Sequence, residues 1–255
     1  MMLTKLLRPV RDLKNRWRMD SDLHPASDVG DEKDQDCETI RFVQPYTMTS
    51  PERIRALCSA VRYIEEAGLE GAVVECGVWR GGSMMAVART LLNRGATDRE
   101  LFLFDTFEGM TEPGPHDVAI TGESAESLLK QASRTEEDRI WCYAPIEQVA
   151  RTLALTHYPQ ERIHLIPGRV ENTLATAAPE RIALLRLDTD WYESTRCELE
   201  VLFPRLRQGG VLLIDDYGHW RGARRAVDEY VSKHRLKLFL HPIDYTGRIA
   251  VKAFE

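Results

Sequence analysis

Long hydrophobic runs and regularly spaced cysteines are both missing from this chain of 255 residues. No stretch of 18 apolar residues occurs, so we expect no membrane-spanning helix. The basic N-terminus lacks the apolar core of a secretory signal peptide. The cysteines are odd in number, and no two stand in a CxxC or other metal-binding spacing: Cys37, Cys58, Cys76, Cys142 and Cys197. We therefore expect free thiols in a reducing compartment, with the cytoplasm as the location.

An excess of positive charge is also missing. The formal net charge is −6 and the pI is near 5.7, which argues against nucleic acid as a partner and leaves room for a cation. Hydrophobic residues make up 43% of the chain, an ordinary share for a globular protein. The length suits one α/β domain with an N-terminal extension.

The N-terminal extension, residues 1–45, has two parts. Residues 3–17 alternate leucines with lysines and arginines at helical spacing, which predicts a basic amphipathic helix. This helix could pack on a partner subunit or its own core, rest weakly on an anionic membrane surface, or remain a disordered tail. Residues 20–38 are acidic and poor in apolar side chains, which is typical of a linker or a mobile loop. We expect the protein to be a homo-oligomer.

The main domain, residues 46–255, alternates short apolar runs with amphipathic stretches. Strands are expected at 72–76, 101–105, 163–166, 182–187, 211–214, 236–241 and 248–254. Helices are expected at 51–67, 83–93, 124–137, 145–156, 170–177, 193–207 and 221–234. This alternation predicts a doubly wound α/β fold with a mostly parallel seven-stranded sheet, whose last strand is antiparallel because a short turn precedes it. Residues 108–145 are too long for a simple connector and are typical of a lid or a substrate-binding segment.

A glycine-rich turn, Glu75-Cys-Gly-Val-Trp-Arg-Gly-Gly-Ser83, joins the first expected strand to a helix. Such a turn lets the backbone approach a ligand closely, although it could also be a plain strand–helix connection. Trp79 stands where a dinucleotide-binding GxGxxG turn has its second glycine. This residue speaks against an NAD-dependent oxidoreductase and favours a cofactor without phosphates.

Asp105 ends the second expected strand, 28 residues after Gly77. Nucleoside-binding α/β folds place an acidic residue there, where it accepts hydrogen bonds from ribose hydroxyls. The alternative is an aspartate that caps the next turn.

Four carboxylates follow two other expected strands: Asp188 and Asp190 after 182–187, and Asp215 and Asp216 after 211–214. Parallel strands end at one edge of a sheet, so these groups should converge where doubly wound folds bind ligands. Because clustered carboxylates repel one another, a hard divalent cation would stabilise them. The alternative is a set of solvated carboxylates at the sheet edge.

These motifs together resemble the macrocin O-methyltransferase family over about residues 45–255. The resemblance is carried by the glycine turn, Asp105-Thr-Phe-Glu-Gly, Leu187-Asp-Thr-Asp-Trp-Tyr and Ile214-Asp-Asp-Tyr-Gly. It implies a class I methyltransferase fold, S-adenosylmethionine as cofactor and a magnesium ion. By position, Asp188, Asp215 and Asp216 match the metal ligands, and Asp190 matches the proposed general base.

The resemblance also implies a cofactor site. Glu75 and Gly77 match the turn at the methionine end, and Asp105 matches the ribose-side acid. Thr47 and Met48 lie in a stretch that closes over the cofactor. Trp79, Ser83 and Gly168 complete the expected set. His219 is a second candidate base or a substrate contact, unless it is only a polar loop residue.

The implied activity is magnesium-dependent methyl transfer to a hydroxyl of a sugar or glycosylated natural product, with vicinal hydroxyls that suit bidentate metal binding. The alternatives are a phenol or aminocoumarin-type acceptor and a non-catalytic metabolite-binding protein on the same fold. The substrate-facing loops do not identify the acceptor.

Overall fold

The computed structural model describes residues 26–135 and 139–253. The amphipathic helix expected over residues 3–17 lies outside these residues. The chain divides into two compact units, residues 1–37 and 38–255, and the second contains the sheet. In the described part of the chain, no helix is long and apolar enough to cross a membrane.

Helix α1 spans Ala26–Val43, so the linker expected over residues 20–38 is wrong from Ala26 onward. The low apolar content suggested a linker, but glutamate, lysine and glutamine are good helix formers. The acidic residues stand mainly before the last turn, and Arg41 lies in it, a distribution that suits the helix dipole. Val43 at the end of the helix is fully buried.

The sheet has seven strands in the order β3-β2-β1-β4-β5-β7-β6. They are β1 Ala72–Cys76, β2 Leu101–Asp105, β3 Ile163–Pro167, β4 Ile182–Leu187, β5 Leu206–Ile214, β6 His241–Pro242 and β7 Arg248–Val251. Strands β1 to β5 pair in parallel, and β7 is antiparallel to both β5 and β6. The predicted fold class is therefore confirmed.

Helices cover both faces of the sheet. They are α2 Pro51–Glu66, α3 Gly82–Asn93, α4 Ala125–Gln131, α5 Ile146–Ala154, α6 Val170–Ala177, α7 Tyr192–Leu202 and α8 Arg221–Lys233. Alternate strand residues enter separate cores: Val73 packs in the core that includes α2, α3 and α5 residues, and Val74 packs with α6, α7 and α8. This is the period-two alternation expected of a sheet with two buried faces.

Three expected boundaries are wrong at the C-terminal side of the sheet. The helix predicted to reach residue 207 ends at Leu202, because Pro204 cannot continue it and a 3-10 turn, Phe203–Arg205, follows. Strand β5 consequently begins at Leu206 rather than at residue 211. The strand expected over 236–241 is reduced to the edge pair His241–Pro242, since the preceding leucines pack against the α8 side without a strand partner.

Four backbone hydrogen bonds join the ends of the parallel strands at one edge. Gly77 N donates to Phe104 O, Asp188 N to Cys76 O, Asp215 N to Leu187 O and Gly168 N to Asp105 O, each over 2.9 Å. Motifs that are far apart in sequence therefore meet at the carboxyl edge.

Candidate active site

A cavity of about 430 Å³ opens at the carboxyl edge of the sheet. Almost all of the site residues expected from the sequence line it: Thr47, Met48, Gly77, Trp79, Ser83, Asp105, Gly168, Asp188, Asp190, Asp215, Asp216 and His219. Glu75 is the exception.

The glycine turn brings β1 against β4. Gly77 has φ +83°, and a Cβ at this position would lie 1.9 Å from the carbonyl oxygen of Asp188. Only glycine permits so close an approach. Trp79 lines the cavity, and its buried Nε1 has no hydrogen-bond partner within the described residues. The indole N–H of Trp79 is therefore a buried donor without a partner beside the cavity.

Asp105 faces the cavity and also holds the turn. Its Oδ2 accepts from Val78 N (2.6 Å) and Trp79 N (3.0 Å), and its Oδ1 accepts from Phe107 N (2.7 Å). Burial raises the pKa of this carboxyl, while the backbone donors oppose that rise. Thr106 Oγ1 also donates to Oδ1, over 3.3 Å, so each carboxylate oxygen already has two donors and a ribose hydroxyl would have to replace one of them.

Arg186 is a site residue that the sequence reasoning missed. It lies on β4 directly across from Glu75 on β1, and its Nη1 donates to Glu75 Oε1 over 2.6 Å. Both side chains are buried. Burial raises the pKa of Glu75 to about 7, and Arg186 opposes that rise. The structure thus shows Glu75 as the counter-ion of Arg186, not as a wall of the cavity.

The same guanidinium reaches three further groups. Arg186 Nη1 lies 2.7 Å from Asp188 Oδ2, and Nη2 lies 2.8 Å from Asp215 Oδ1. Nη2 also donates to Thr49 Oγ1 over 2.9 Å. A single basic residue inside an apolar strand, opposite a single acidic residue in another, is the sequence signal that could have identified this pair.

Arg53 on α2 is a second missed residue. It forms an ion pair with Asp215, and its Nε lies 3.0 Å from Asp244 Oδ2. Ser50 caps the same helix, since its Oγ accepts from Arg53 N, and it donates to Asp244 Oδ2. Arg53 therefore ties the start of α2 to the edge of β5.

Negative charge still exceeds positive charge at this edge. Among the described residues, the carboxyl groups of Glu75, Asp188, Asp190, Asp215 and Asp216 lie here with two basic side chains, Arg53 and Arg186, and Arg53 also pairs with Asp244. Burial, followed by the charges of neighbouring carboxylates, raises the pKa of Asp216 well above its ordinary value, and the pKa of Asp188 rises likewise against the opposing effect of Arg186.

The charge surplus and the hard oxygen donors fit a divalent cation such as magnesium. The side-chain arrangement is that of ion pairs: Asp188 and Asp215 each contact a guanidinium. Within residues 26–135 and 139–253, no three acidic, histidine or cysteine side chains are grouped as ligands of one ion.

Asp190 adopts a backbone conformation that is rare outside glycine. Its φ is +65°, and the flanking groups close a turn in which Thr189 O accepts from Trp191 N over 2.7 Å. Trp220 Nε1 donates to Asp190 Oδ1 over 2.6 Å. Burial, followed by the charge of Asp188, raises the pKa of Asp190 to about 7.

His219 also lines the cavity. Burial lowers its pKa, and the positive charge of Arg53 lowers it further. Its Nδ1 lies 3.5 Å from the hydroxyl of Tyr245. A neutral imidazole at this place could accept a proton, so the structure leaves His219 beside Asp190 as a candidate base.

The comparisons with known proteins agree with this geometry. The family model described as macrocin-O-methyltransferase (TylF) matches residues 13–251. The chain belongs to the macrocin O-methyltransferase family. It is 35% identical over 202 residues (79% of this chain, 74% of the relative) to 8-demethyl-8-(2,3-dimethoxy-alpha-L-rhamnosyl)-tetracenomycin-C 4'-O-methyltransferase of Streptomyces olivaceus.

Two further proteins are similar. Mycinamicin III 3''-O-methyltransferase of Micromonospora griseorubida is 30% identical over 202 residues, covering 79% of this chain and 76% of the relative. The solved structure of the O-methyltransferase NovP has a TM-score of 0.71 and 28% identity, covering 82% of this chain and 83% of that chain. The protein is accordingly an O-methyltransferase.

One wall of this methyltransferase's cavity comes from the segment 108–145. Trp191 Nε1 donates to Thr111 O over 3.1 Å, and Ile120 N donates to His219 O over 2.8 Å. Helix α4 contributes Leu129 to a small core with Trp191 and Trp220. The first part of the segment is therefore fastened to the catalytic edge as a wall.

Proposed function

We propose that this methyltransferase transfers the methyl group of S-adenosylmethionine to a sugar hydroxyl of a glycosylated natural product. The observation that carries the proposal is one cavity that brings together the glycine turn, Asp105 and the four edge aspartates. The two relatives described above have names that place their methyl groups on glycosylated natural products, which supports a sugar acceptor.

The cofactor side of the cavity fits S-adenosylmethionine. The close-packed Gly77 turn suits the amino-acid end, and Asp105 lines the cavity where a ribose-side acid is expected. Thr47 and Met48 line the cavity from the segment before α2, and Ser83 and Gly168 line it from the starts of α3 and α6. The cofactor itself supplies an activated methyl group.

The acidic side fits a magnesium ion held by Asp188, Asp215 and Asp216. Support comes from the surplus of carboxylates and from the raised pKa values of Asp188 and Asp216. When bound, the ion supplies Lewis acidity and orients neighbouring substrate oxygens. A vicinal diol on a sugar ring presents two such oxygens, which favours this acceptor class over a single isolated hydroxyl.

Asp190 is proposed as the general base. Its Oδ1 is engaged by Trp220, and burial raises the pKa of Asp190 above its ordinary value, which favours acceptance of a proton. The protein's further task is to hold the hydroxyl oxygen in line behind the methyl carbon. Helix α4, Trp191 and Trp220 give the cavity an apolar wall on this side.

We also propose a cytoplasmic enzyme that assembles as a homo-oligomer. All five cysteines are free thiols, as expected in a reducing compartment. Light scattering of the full chain in solution tests the assembly: a single monomeric species would contradict it.

The test of the function is an assay by mass spectrometry with S-adenosylmethionine and three acceptors: the rhamnosyl tetracenomycin, mycinamicin III and catechol. We expect a mass gain of one methyl group on a glycoside, loss of turnover with EDTA and recovery with magnesium. Transfer to catechol alone would favour the phenolic alternative. Full turnover in EDTA would contradict the metal, and no binding of S-adenosylhomocysteine by calorimetry would contradict the cofactor.

A further inference from the structure

We propose that Glu198 is a positioning residue for methyl transfer: through the hydroxyl of Thr189, it holds the tight turn that aims the Asp190 carboxylate into the cavity. Glu198 lies on α7 and does not line the cavity. The inference rests on the proposed role of Asp190 as the base.

The turn at Asp190 needs external support. A hydrogen bond from Trp191 N to Thr189 O spans only one intervening residue, and that residue has φ +65°. A turn of this kind, with a positive φ at its centre, is rare and strained. A strained conformation of a residue other than glycine costs on the order of 1–3 kcal/mol and persists only when its surroundings hold it.

Asp190 is restrained directly by Trp220 and by Asp216, whose carboxyl group is also hydrogen-bonded to the Asp190 side chain. Trp220 Nε1 donates to its carboxylate, and its backbone N donates to Asp216 Oδ2 over 3.1 Å. The preceding residue is restrained from the other side of the sheet edge, where Thr189 Oγ1 donates to Glu198 Oε1 over 2.8 Å. Ser194 Oγ adds a longer bond of 3.4 Å to Thr189 O. Glu198 is thus the side-chain anchor of the first residue of the turn.

Glu198 destabilises the fold at its buried position, so a purely structural role does not account for it. It is 0% exposed, its Oε2 has no hydrogen-bond partner, and no basic side chain pairs with it in the described part of the chain. Burial raises its pKa to about 8; the Thr189 bond opposes this rise and the charge of Glu171 adds to it. Since its neighbours Leu199 and Leu202 are apolar, a leucine would pack there at lower cost.

This reasoning separates a positioning role from a structural one. If Glu198 only filled space, replacing it by leucine would leave the turn at Asp190 unchanged. If it positions the turn, Glu198→Leu will have two opposite effects. The fold will become more stable because a destabilising buried carboxyl group is removed. Methyl transfer will become slower because Thr189 loses the hydrogen bond that holds the turn. A rise in stability together with a fall in turnover therefore identifies a positioning role.

The experiment follows the indole N–H resonance of Trp220 in full-length protein labelled on its five tryptophans, assigned with Trp220→Phe. The short bond to Asp190 should shift this resonance downfield. We expect Glu198→Leu and Thr189→Val to move it upfield by the same amount, and Glu198→Gln, which keeps an acceptor for Thr189, to retain it. Glu200→Leu removes an exposed carboxylate of the same helix and is the control.

The second readout is thermal melting near pH 8, where Glu198→Leu should raise the melting temperature by a few degrees. The third is turnover of the rhamnosyl tetracenomycin: kcat should fall about tenfold or more in Glu198→Leu with the KM for S-adenosylmethionine unchanged. The double variant with Thr189→Val should lose no more than either single variant.

The outcomes distinguish this proposal from the proposed function. The positioning role is overturned if the Trp220 resonance does not shift in Glu198→Leu. It is also overturned if Glu198→Leu and Glu200→Leu lower the melting temperature equally. A wild-type protein that methylates no acceptor contradicts the proposed function, while the resonance and the melting temperature still decide the structural coupling.

Discussion

Arg186 and Glu75 face each other on neighbouring strands, with Arg186 Nη1 donating to Glu75 Oε1 over 2.6 Å inside the core. The arginine extends this pair to Asp188 and Asp215, so one buried cation supports three carboxylates. Removing one partner of a buried pair leaves charge without compensation. The glycine turn and the aspartates at the sheet edge are therefore both stabilised by the charge of Arg186.

Replacing Arg186 should destabilise the folded protein strongly. We expect Arg186→Met to lower the free energy of unfolding by about 3–5 kcal/mol, measured by urea denaturation. The control is Arg181→Met, which breaks an exposed pair with Glu70 and should cost no more than about 1 kcal/mol. Equal, small losses in the two variants would mean that the carboxylates are balanced without Arg186.

Asp190→Asn removes the proposed proton acceptor and keeps the shape of the side chain. We expect kcat to fall about 100-fold or more while the affinities for S-adenosylhomocysteine and magnesium stay nearly unchanged, as measured by kinetics and calorimetry. The parallel variant His219→Gln should lose much less. If Asp190→Asn keeps its turnover and His219→Gln does not, His219 is the base.

The proposed metal ligands should behave differently from the base. Asp188→Asn and Asp216→Asn should each raise the dissociation constant of magnesium at least about tenfold, with activity partly recovered at high magnesium, because each variant removes a charged oxygen ligand. Calorimetry with magnesium measures this effect. Asp228→Asn, an acid outside the cavity lining, is the control. Magnesium binding that is unchanged in both ligand variants would place the ion elsewhere.

Asp105→Asn should weaken the binding of S-adenosylhomocysteine by about tenfold or more. The amide loses charge and acceptor positions that serve the backbone donors of Val78, Trp79 and Phe107, and hydrogen bonds to charged groups contribute about 1.5–3 kcal/mol. Calorimetry checks the affinity, with Glu108→Gln as the matched exposed control. An unchanged affinity would show that Asp105 only caps the turn and that asparagine can do the same.

Glu198→Gln should change how stability depends on pH. The folded protein holds the Glu198 proton up to a pKa of about 8, whereas an ordinary glutamate loses it near 4.5. The unfolded chain therefore binds fewer protons between these values, and the wild type loses stability as pH rises, at roughly 1.4 kcal/mol per pH unit from this group.

The glutamine does not titrate, so its advantage over wild type should grow from near zero at about pH 5 to about 2–4 kcal/mol at about pH 8. Urea denaturation of both proteins at the two pH values measures this difference. Shifts of Asp190 and Glu75 occur in both proteins and cancel in the comparison. A constant difference across the pH range would show that Glu198 is ionised in the folded state.

Parts of the site were predictable because their signals are local. Strand-then-turn patterns placed Gly77, Asp105 and the two aspartate pairs at strand ends, and parallel strands necessarily end at one edge. The structure confirms that these residues line one cavity. The roles of individual carboxylates, as ligand or base, stay predictions.

Other features depended on packing that no local pattern reveals. Helix α1 has the composition of a linker, and the burial of Val43 at its end is a tertiary contact that composition does not reveal. The length of the segment 108–145 predicts a lid or a substrate-binding segment. Only the contacts of Trp191 and Trp220 show that part of it is a fixed wall.

The sequence by itself determined the α/β alternation, the order of the motifs and the family, because hydrophobic periodicity and short motifs survive in the linear chain. Only the tertiary structure decided which charges meet. Arg53, Glu75 and Arg186 lie on different elements, and their pairing depends on strand register and on the exclusion of water. The strained turn at Asp190 and its anchor Glu198 likewise exist only once α7 has packed against β4.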